Sequence, residues 1–443
     1  MTPAAPDFEA RVADWLSVEE ATSRVLAAVP TTPAKCERVP LSEALGRALA
    51  EDLRASATLP PWPNSAMDGY AVHGNDVTGA SQERPVALRV VGLLRAGGAP
   101  APRVEAGEAV RIMTGAPLPD GADSVVRRED TDEESEPGRV VIHTDRDAGR
   151  NVRPGGQDMR DGDLVLEAGA TITPGVVAVL AALGRVEVPV RPRLSVAILT
   201  TGDELRPATR YDDVRAGAGI PDSNGPMLAA AVRAAGGRPV LLGSVPDDRY
   251  AVVGALEQAK DADVLVTVGG ASMGEADLVK RALESAGFDL DFWRVRMRPG
   301  SPFSFGHLHR EGRPEPVFGL PGNPASAFVT FELFVRPFLL RAGGHRRVAR
   351  HAIACRAGEH LKGAEGLTLF TRVSIDASTS PPTVRTTGPQ TSGLVSGLAH
   401  ADGLAVIPEG HGAAQEGSMV DVILLGQSTA GPLTPRHDGV PSA

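Results

Sequence analysis

The feature that most constrains the fold is a regular alternation of short apolar segments and helical patterns from about residue 192 to residue 340. Apolar runs bounded by turn residues indicate strands, and apolar residues at helical spacing indicate helices. Strands that alternate with helices of about 10 to 15 residues are typical of a doubly wound parallel sheet. The predicted strands and helices are, in chain order, Leu194–Leu199, Gly225–Ala235, Arg238–Val245, Arg249–Ala259, Asp263–Val268, Asp277–Ala286, Val317–Leu320 and Ala325–Leu340.

The regions outside this alternation predict smaller, β-rich modules. The chain has 50 glycines and 37 prolines without a three-residue period, which indicates many turns between short elements. Short strands at Val86–Leu93, Ala109–Met113 and Arg139–Ile142 predict a β module over residues 66–144. Short β segments return between residues 345 and 425, where they predict a small barrel or sandwich.

The N-terminal region carries the signals of helix starts. Ser17 and Glu20 have the spacing of a capping box and precede apolar residues at helical spacing, so a helix is predicted there. A second helix is predicted from about Ser42 to Leu53. An extended linker is predicted at Leu59–Pro63, because its prolines cannot lie inside a helix. The acidic run Glu129–Glu134 is interpreted as a solvated hairpin tip in preference to a metal site.

Composition argues against several classes of protein. A formal net charge of −10 over 443 residues argues against nucleic acid binding, although a local cationic pocket remains compatible with it. Cys36 and Cys355 are far apart and form no CxxC pair, which argues against a disulfide framework or a cysteine zinc site. No apolar stretch approaches about 18 residues, and the first residues lack a signal peptide pattern. A cytoplasmic protein that does not enter membranes is predicted.

Three loops follow predicted strands at the sheet edge where open α/β sheets bind ligands. The first, Thr200–Leu205, offers hydroxyls, a glycine and acids that suit an anion or a cation, and is equally typical of a solvated turn. The second, Gly269–Asp277, places glycines and Ser272 before a helix, which favours a phosphate-type ligand over a plain helix cap at Asp277. The third, Leu320–Ser326, contains two prolines and alone is also typical of a helix start.

Three arginines lie between the second and third loops. Arg294, Arg296 and Arg298 alternate with apolar residues, so a single strand would place all three on one face. Anion binding is favoured there over an exposed strand edge. His307 and His309 alternate as metal ligands do, but no third ligand is evident and a hairpin tip is favoured.

Five segments taken together resemble the MoeA family of molybdopterin molybdenumtransferases and the homologous C-terminal part of gephyrin. They span most of the chain from about residue 15 to 425 and occur in family order, which makes the signal very specific. The matching motifs are NSAMDGYAV at Asn64–Val72, RIMTGAP at Arg111–Pro117, TTGDEL at Thr200–Leu205, GGASMGEAD at Gly269–Asp277 and LPGNPAS at Leu320–Ser326.

The resemblance implies a multidomain α/β plus β fold and a homodimer. Its four domains would be an elongated discontinuous dimerisation domain at 12–65 and 145–190, a β module at 66–144, a Mog-like doubly wound molybdopterin-binding α/β domain at 191–343 and a C-terminal β-barrel-like domain at 344–426, before a disordered tail at 427–443. The active cleft would be shared between subunits, with the α/β domain of one facing the β module of the other.

The implied reaction completes the molybdenum cofactor: adenylylated molybdopterin and molybdate react with release of AMP, assisted by Mg²⁺ or Zn²⁺. Because the dithiolene sulfurs belong to the substrate, the protein needs no cysteine pair. A Mog-type adenylyltransferase and molybdoenzyme acceptors are the implied macromolecular partners. The implied catalytic residues are Asp68, Thr114, Glu204, Asp247, Asp277, Arg294 and Arg298, and of these Glu204, Asp247 and Asp277 would also bind the cation. The implied substrate-binding residues are Gly269, Gly270, Ser272, Lys280, Pro302, Pro321, Pro324, Ser326, Arg372 and Ser392.

The chain departs from the family pattern where lysines are usual. Arg294 and Arg298 keep the positive charge with a different geometry, whereas Ser301 loses it. Two alternative functions are a pterin adenylyltransferase-type Mog-domain enzyme and a non-catalytic gephyrin-like scaffold. The NSAMDGYAV segment argues against the first, and nothing in the sequence resembles the additional N-terminal domain and linker that accompany the second.

Overall fold

The computed structural model describes residues 15–30, 36–97, 103–246, 248–269, 276–310 and 313–426. The chain divides into two compact units. The larger unit contains the described residues up to Ala50, Gly169–Thr173 and those from Glu187 onward, and the smaller unit contains Glu51–Ala168 and Pro174–Val186. No helix among the described ranges combines the length and apolar character needed to cross a membrane. The tail predicted to be disordered, 427–443, lies outside the described residues.

Both units are built from short elements. The α-helices of the described residues are α1 (Val18–Ala27), α2 (Gly74–Val77), α3 (Pro174–Ala182), α4 (Tyr211–Arg215), α5 (Asn224–Ala234), α6 (Arg249–Gln258), α7 (Ala276–Ser285), α8 (Pro324–Thr330), α9 (Arg336–Ala342) and α10 (Ser396–Ala399). The strands are β1 (Glu37–Pro40), β2 (Leu53–Arg54), β3 (Asn64–Ser65), β4 (Gly69–Val72), β5 (Val86–Leu94), β6 (Glu108–Ile112), β7 (Ser124–Arg127), β8 (Arg139–Ile142), β9 (Val152–Arg153), β10 (Leu164–Leu166), β11 (Glu187–Val190), β12 (Ser195–Thr201), β13 (Leu205–Arg206), β14 (Ile220–Pro221), β15 (Arg238–Val245), β16 (Val264–Val268), β17 (Phe288–Trp293), β18 (Met297–Arg298), β19 (Ser304–Arg310), β20 (Arg313–Leu320), β21 (Ala352–Ala357), β22 (Thr368–Asp376), β23 (Thr383–Thr386), β24 (Gly403–Ile407) and β25 (Met419–Leu424).

A six-stranded sheet forms the centre of the larger unit, in the order β15-β12-β16-β20-β19-β17. The first four strands are parallel, with β12 between β15 and β16 and with β20 beside β16. Every residue of β12 and β16 is buried. Such strands are covered on both faces, which explains why their sequences are continuous apolar runs instead of alternating ones.

Two apolar cores cover the two faces of this sheet. Val196 and Ile198 of β12 pack in one core with α5, α8 and α9, whereas Ala197 and Leu199 pack in the other with α6 and α7. A π-helical turn, Phe331–Val335, joins α8 to α9. The predicted doubly wound α/β fold is confirmed.

The sheet continues beyond the predicted strands. β19 pairs antiparallel with both β20 and β17, so the parallel sheet has an antiparallel extension that the sequence did not predict. The prediction of one strand through Arg294, Arg296 and Arg298 is wrong. β17 ends at Trp293, and Arg294 adopts a φ of 76°, a left-handed conformation that breaks the alternation of side chains.

A closed barrel follows the α/β domain. Its strands lie in the order β18-β22-β23-β21-β25-β24, and an additional pairing of β22 with β24 closes five of them into a ring. The interior is apolar and includes Cys355, Val373 and Val422. The predicted C-terminal β-barrel is confirmed, and β18, which comes from the preceding domain, extends its sheet through β22.

The first predicted helix is confirmed and the second is wrong. Ser17 and Glu20 form both hydrogen bonds of a capping box at the start of α1. Over 42–53 the chain instead forms a single 3₁₀ turn, Leu41–Glu43, and then turns at Gly46, whose φ is 75°. Ala48 and Leu49 make β-bridges to Thr171 and Val190, so long-range pairing replaces the local helix.

The smaller unit contains a five-stranded sheet in the order β7-β4-β6-β5-β8. Its second strand, β4, is buried throughout and pairs antiparallel with β6 and β7. A methyl group on Gly69 would overlap the carbonyl oxygen of Val126, so only glycine allows this close approach of β4 and β7. The strands predicted at 86–93, 109–113 and 139–142 are confirmed as β5, β6 and β8.

Candidate active site

Asp68 and Thr114 lie together at one end of the sheet in the smaller unit. Asp68 directly precedes β4, and Thr114 lies two residues after β6, which pairs with β4. The backbone N–H of Thr114 donates to the Asp68 carboxylate at 2.7 Å, and its hydroxyl donates at 2.8 Å. These two hydrogen bonds lower the pKa of Asp68. Both side chains are exposed, so an ionised carboxylate is held in fixed geometry at an open surface.

Several other charges of this unit are paired with one another. Buried Tyr70 donates to Glu134, which also lies 3.8 Å from Arg111, and burial with the adjacent Glu134 raises the pKa of Tyr70 to about 12. In the acidic run, Asp130 pairs with Arg146 and Glu133 with Arg128, so these acids balance arginines. Among the residues that the structure describes, no cluster of three metal-ligating side chains occurs.

In the larger unit, the first and second predicted loops meet at the carboxyl ends of β12 and β16. Gly269 follows β16 with a φ of 101°, and a methyl group there would lie 2.6 Å from the carbonyl oxygen of Thr201. The third loop joins them, since a methyl group at Gly322 would lie 3.6 Å from the Cα atom of Gly269. The absence of a side chain at Gly269 allows this close packing, and the two neighbouring glycines are called the glycine floor below.

Glu204 and the other acids of the implied cation site are only partly described. The exposed carboxylate of Glu204 folds back over Gly202, where a methyl group would lie 2.8 Å from one of its oxygens. Asp247, Gly270 and Ser272 lie outside the described residues. Asp277 and Lys280 are in the first half of α7, and the description there is limited to the backbone.

The start of α8 is the point where three loops of the larger unit converge. Pro321 and Ser326 are buried there, and Pro324 is the first residue of the helix. The Met297–Ser301 turn packs along the same helix, because a methyl group at Gly300 would lie 3.6 Å from the carbonyl oxygen of Ser326 and 2.6 Å from the side chain of Thr330, the last residue of α8. The barrel supplies the third loop, in which the carbonyl of Ser392 accepts a 3.0 Å hydrogen bond from the N–H of Ala325.

The three arginines between β17 and β18 have three different environments. Arg294 stacks on the rings of Trp15 and Trp293, with its guanidinium carbon 4.9 and 4.2 Å from their centres. Arg296 forms an ion pair with Glu409 at 2.9 Å and also donates to the carbonyl of Trp15. Arg298 is exposed. The three side chains therefore do not form the single cationic face that was predicted.

Arg372 is fully buried on β22 in the barrel. One terminal nitrogen donates to the carbonyls of Pro389 and Thr391, at 3.1 and 3.3 Å. Its Nε and other terminal nitrogen have no hydrogen-bond partner among the described residues, and burial lowers the pKa of the guanidinium. The loop that covers Arg372 is the one that carries Ser392. Pro302, by contrast, lies half-buried before β19.

Comparison with known proteins places these sites in a family. Three family models match successive parts of the chain: MoeA N-terminal region (domain I and II) at residues 16–184, probable molybdopterin binding domain at 197–341 and MoeA C-terminal region (domain IV) at 354–425. Molybdopterin molybdenumtransferase 2 of Mycobacterium tuberculosis is 39% identical over 379 residues, which cover 84% of this chain and 90% of that protein. This chain belongs to the MoeA family. It is an enzyme of molybdenum cofactor biosynthesis, a molybdopterin molybdenumtransferase.

Further MoeA relatives extend the match over nearly the whole length. The molybdopterin molybdenumtransferase of Synechococcus elongatus is 35% identical over 415 residues, covering 92% of this chain and 99% of that protein. The crystal structure of a molybdopterin biosynthesis moeA protein from Pyrococcus horikoshii superimposes with a TM-score of 0.79 at 28% identity, covering 93% of this chain and all of that one. The similarity to MoeA proteins therefore extends over nearly the whole chain.

Sequence reasoning overlooked two polar residues of the MoeA site region. Thr201, the last residue of β12, and Asn224, the first of α5, are each more than nine-tenths buried at the strand ends. Thr201 lay within a recognised motif and Asn224 in a Pro-Asp-Ser-Asn-Gly segment typical of a turn before a helix. Their placement beside Gly269 and Gly322 depends on long-range folding, which a linear pattern does not reveal.

Proposed function

We propose that this molybdopterin molybdenumtransferase uses adenylylated molybdopterin and molybdate as substrates and releases AMP when molybdenum passes to the dithiolene sulfurs. The observation that carries the proposal is the convergence of the Gly269 loop, the Gly322 loop and the start of α8 at the carboxyl ends of four parallel strands. Ligands of open α/β sheets bind at this edge.

The start of α8, next to Gly269 and Gly322, is suited to the phosphate groups of the adenylylated substrate. Gly269 and Gly322 have no side chain that would keep a ligand away from the backbone. Ser326 follows in the first turn of the helix, where the hydroxyl and the positive end of the helix dipole favour an anion. In this proposal Gly270, Ser272 and Lys280 bind the same part of the substrate.

Molybdate is proposed to bind at the start of α8, where the turn containing Arg298 and the loop containing Ser392 both contact the helix. Arg298 is the exposed cation of this region and offers a planar set of N–H donors that suits an oxyanion. Arg372 lies behind the Ser392 loop with two guanidinium nitrogens that have no hydrogen-bond partner among the described residues, and these nitrogens would act on the oxyanion if that loop moved. Arg294 keeps its proposed role in charge neutralisation, with its guanidinium oriented by the two indole rings.

A divalent cation, Mg²⁺ in preference to Zn²⁺, is proposed as the cofactor. Carboxylate oxygens are the ligands that Mg²⁺ prefers, and Glu204 presents an exposed carboxylate at the strand ends. Glu204, Asp247 and Asp277 would hold the ion, which would neutralise phosphate charge when bound. The residues themselves would position the phosphoanhydride next to the oxyanion.

The assembly is proposed to be a homodimer in the cytoplasm, with Asp68 and Thr114 completing the active cleft of the partner subunit. A negative carboxylate with a lowered pKa suits the positioning of a cation or a proton near the reacting phosphate. Both cysteines, Cys36 and Cys355, are free thiols, as expected in a reducing compartment. A Mog-type adenylyltransferase would supply the substrate, and molybdoenzymes would accept the product.

The decisive experiment is incubation of the purified protein with adenylylated molybdopterin, with and without molybdate. We expect AMP release that requires molybdate and Mg²⁺, and strongly reduced release by the Asp277→Asn variant with an unchanged melting temperature. ATP-dependent adenylylation of molybdopterin without molybdate-dependent AMP release would overturn the proposed reaction. Wild-type turnover in the Asp277→Asn variant would reduce Asp277 to a helix cap.

A further inference from the structure

Two buried oxygen atoms at the edge of the glycine floor have no hydrogen-bond partner among the described residues. They are Oγ1 of Thr201, which is 6% exposed, and Oδ1 of Asn224, which is 8% exposed. A buried polar atom without a partner costs about 1 to 3 kcal/mol, so at Thr201, whose hydroxyl makes no hydrogen bond to a described residue, an apolar residue would be more stable in a protein that binds nothing there.

Contacts connect the two atoms through the floor itself. A methyl group at Gly269 would lie 2.7 Å from Oγ1 of Thr201, and a methyl group at Gly322 would lie 3.6 Å from the Cα atom of Gly269. Nδ2 of Asn224 donates to the carbonyl of Gly322 at 2.7 Å. Thr201, Gly269, Gly322 and Asn224 therefore form one continuous chain of contacts.

The hydrogen bond of Asn224 defines what a ligand must offer. Because its Nδ2 is committed to the Gly322 carbonyl, Oδ1 is the free end of the amide and can only accept. Oγ1 of Thr201 can donate and accept. A ligand that satisfies both must present an N–H group to Asn224, and either an acceptor or a second donor to Thr201.

This requirement argues against a phosphate or a cation at these two atoms. A phosphate has only acceptors at neutral pH and would face the Asn224 acceptor unfavourably. A divalent cation binds chiefly through carboxylates. The carboxylate beside Asn224, that of Asp222, already accepts from Thr200 at 3.0 Å, from Ser244 at 2.9 Å and from the Gly225 N–H at 3.0 Å, and the exposed carboxylate of Glu204 is folded over Gly202 instead.

We propose that Thr201 and Asn224 recognise the amino-substituted pyrimidine edge of the substrate. Such an edge presents an amino N–H to Oδ1 of Asn224 and a ring nitrogen or oxo group to the Thr201 hydroxyl. The inference rests on the proposed function, whose substrate carries this chemistry twice, on the pterin and on the adenine. The two residues thereby fix which end of the substrate lies against the glycine floor.

The Thr201→Val variant tests the proposal because it removes the hydroxyl while keeping the side-chain shape, and no hydrogen bond to a described residue is lost. We expect a melting temperature without ligand that is equal to or higher than that of wild type, and an affinity for adenylylated molybdopterin reduced about five- to tenfold in calorimetric titration. Thr201→Ser, which keeps the hydroxyl, should restore most of the affinity.

Thr200→Val is the matched control, because the neighbouring hydroxyl bonds to Asp222 inside the protein. It should lower the melting temperature and leave ligand affinity within about twofold of wild type. Titration with AMP alone identifies the ring: weaker AMP binding by Thr201→Val assigns the adenine, and weakening confined to adenylylated molybdopterin assigns the pterin.

If Thr201→Val bound both ligands with wild-type affinity, the proposal would be overturned. Water would then be the hydrogen-bond partner of the two atoms. Destabilisation of Thr201→Val equal to that of Thr200→Val would overturn the proposal as well. The titrations need no turnover, so they remain interpretable even if molybdate-dependent AMP release, the test of the proposed function, is not observed.

Discussion

At the scale of single residues, the pair of Asp68 and Thr114 shows how a surface carboxylate is kept ionised without burial. Two hydrogen bonds from one residue lower the pKa of Asp68, and the backbone bond is independent of the side chain. The hydroxyl contribution can therefore be removed by itself.

We expect Thr114→Val to raise the pKa of Asp68 toward its ordinary value, because the carboxylate loses one donor. If the ionised form is needed, kcat/KM will fall at a higher pH on the acid side than in wild type. Thr114→Ser, which retains a hydroxyl, should keep the wild-type profile. If the acid side of the pH profile of kcat/KM does not move in Thr114→Val, ionisation of Asp68 is not required for turnover.

A second prediction concerns Arg298, the exposed cation among three neighbouring arginines. Arg298→Ala should raise the molybdate concentration needed for half-maximal rate roughly tenfold, since a charge-assisted hydrogen bond to the oxyanion is lost. Arg296→Ala is the matched control: its guanidinium is engaged by Glu409, so we expect lower stability with a smaller effect on molybdate. An unchanged molybdate dependence in Arg298→Ala would place the oxyanion elsewhere.

At the scale of elements, local sequence patterns correctly predicted those helices and strands that interactions between neighbouring residues determine. The capping box of α1 and the continuous apolar runs of β12 and β16 were correct, because capping and burial on both faces leave direct marks in the sequence. The helix expected at 42–53 failed because Ala48 and Leu49 pair with distant strands. The left-handed backbone conformation of Arg294 could not be predicted from the sequence, because arginine rarely adopts it.

The same distinction applies to the candidate site. The motif loops could be predicted, since they follow recognisable strands, but the pairing of Arg296 with Glu409 joins residues more than a hundred positions apart. The unpartnered atoms of Thr201 and Asn224 are likewise a property of the folded chain. A sequence shows which groups are available and only the fold shows which of them remain unsatisfied.

A second feature at the scale of elements is the pair of Arg127, the last residue of β7, and Asp147, which follows β8. This pair leads to a prediction about the stability of the smaller unit. Asp147 is 1% exposed and accepts from the Arg127 backbone N–H at 3.1 Å and from two guanidinium nitrogens at 3.0 Å. Burial alone would raise the pKa of Asp147, but the Arg127 hydrogen bonds outweigh it and lower the pKa.

Asp147→Asn should therefore destabilise the smaller unit by about 2 to 3 kcal/mol at neutral pH. Because the folded pKa is lowered, the stabilisation is present above the unfolded pKa and is lost as pH falls through the folded value. The difference in melting temperature between variant and wild type should shrink in acid. A difference that stays constant down to about pH 3 would show that shape, not charge, accounts for the loss.

At the scale of the whole molecule, the proposed homodimer makes a prediction that single variants cannot test. If the active cleft combines Asp68 of one subunit with Asp277 of its partner, each variant alone, Asp68→Asn or Asp277→Asn, should be nearly inactive. A mixed dimer of the two variants would contain one cleft with both acids intact and one cleft with neither.

Mixing the two inactive variants in equal amounts and allowing the subunits to exchange should therefore restore activity. With random exchange, half of the dimers are mixed and each has one intact cleft, so AMP release should recover to roughly a quarter of the wild-type rate. Light scattering should give about twice the mass of a single 46.0 kDa chain. Exchange that is demonstrated by differently tagged subunits but restores no activity would mean that both acids act within one subunit, and a monomeric mass would exclude the shared cleft outright.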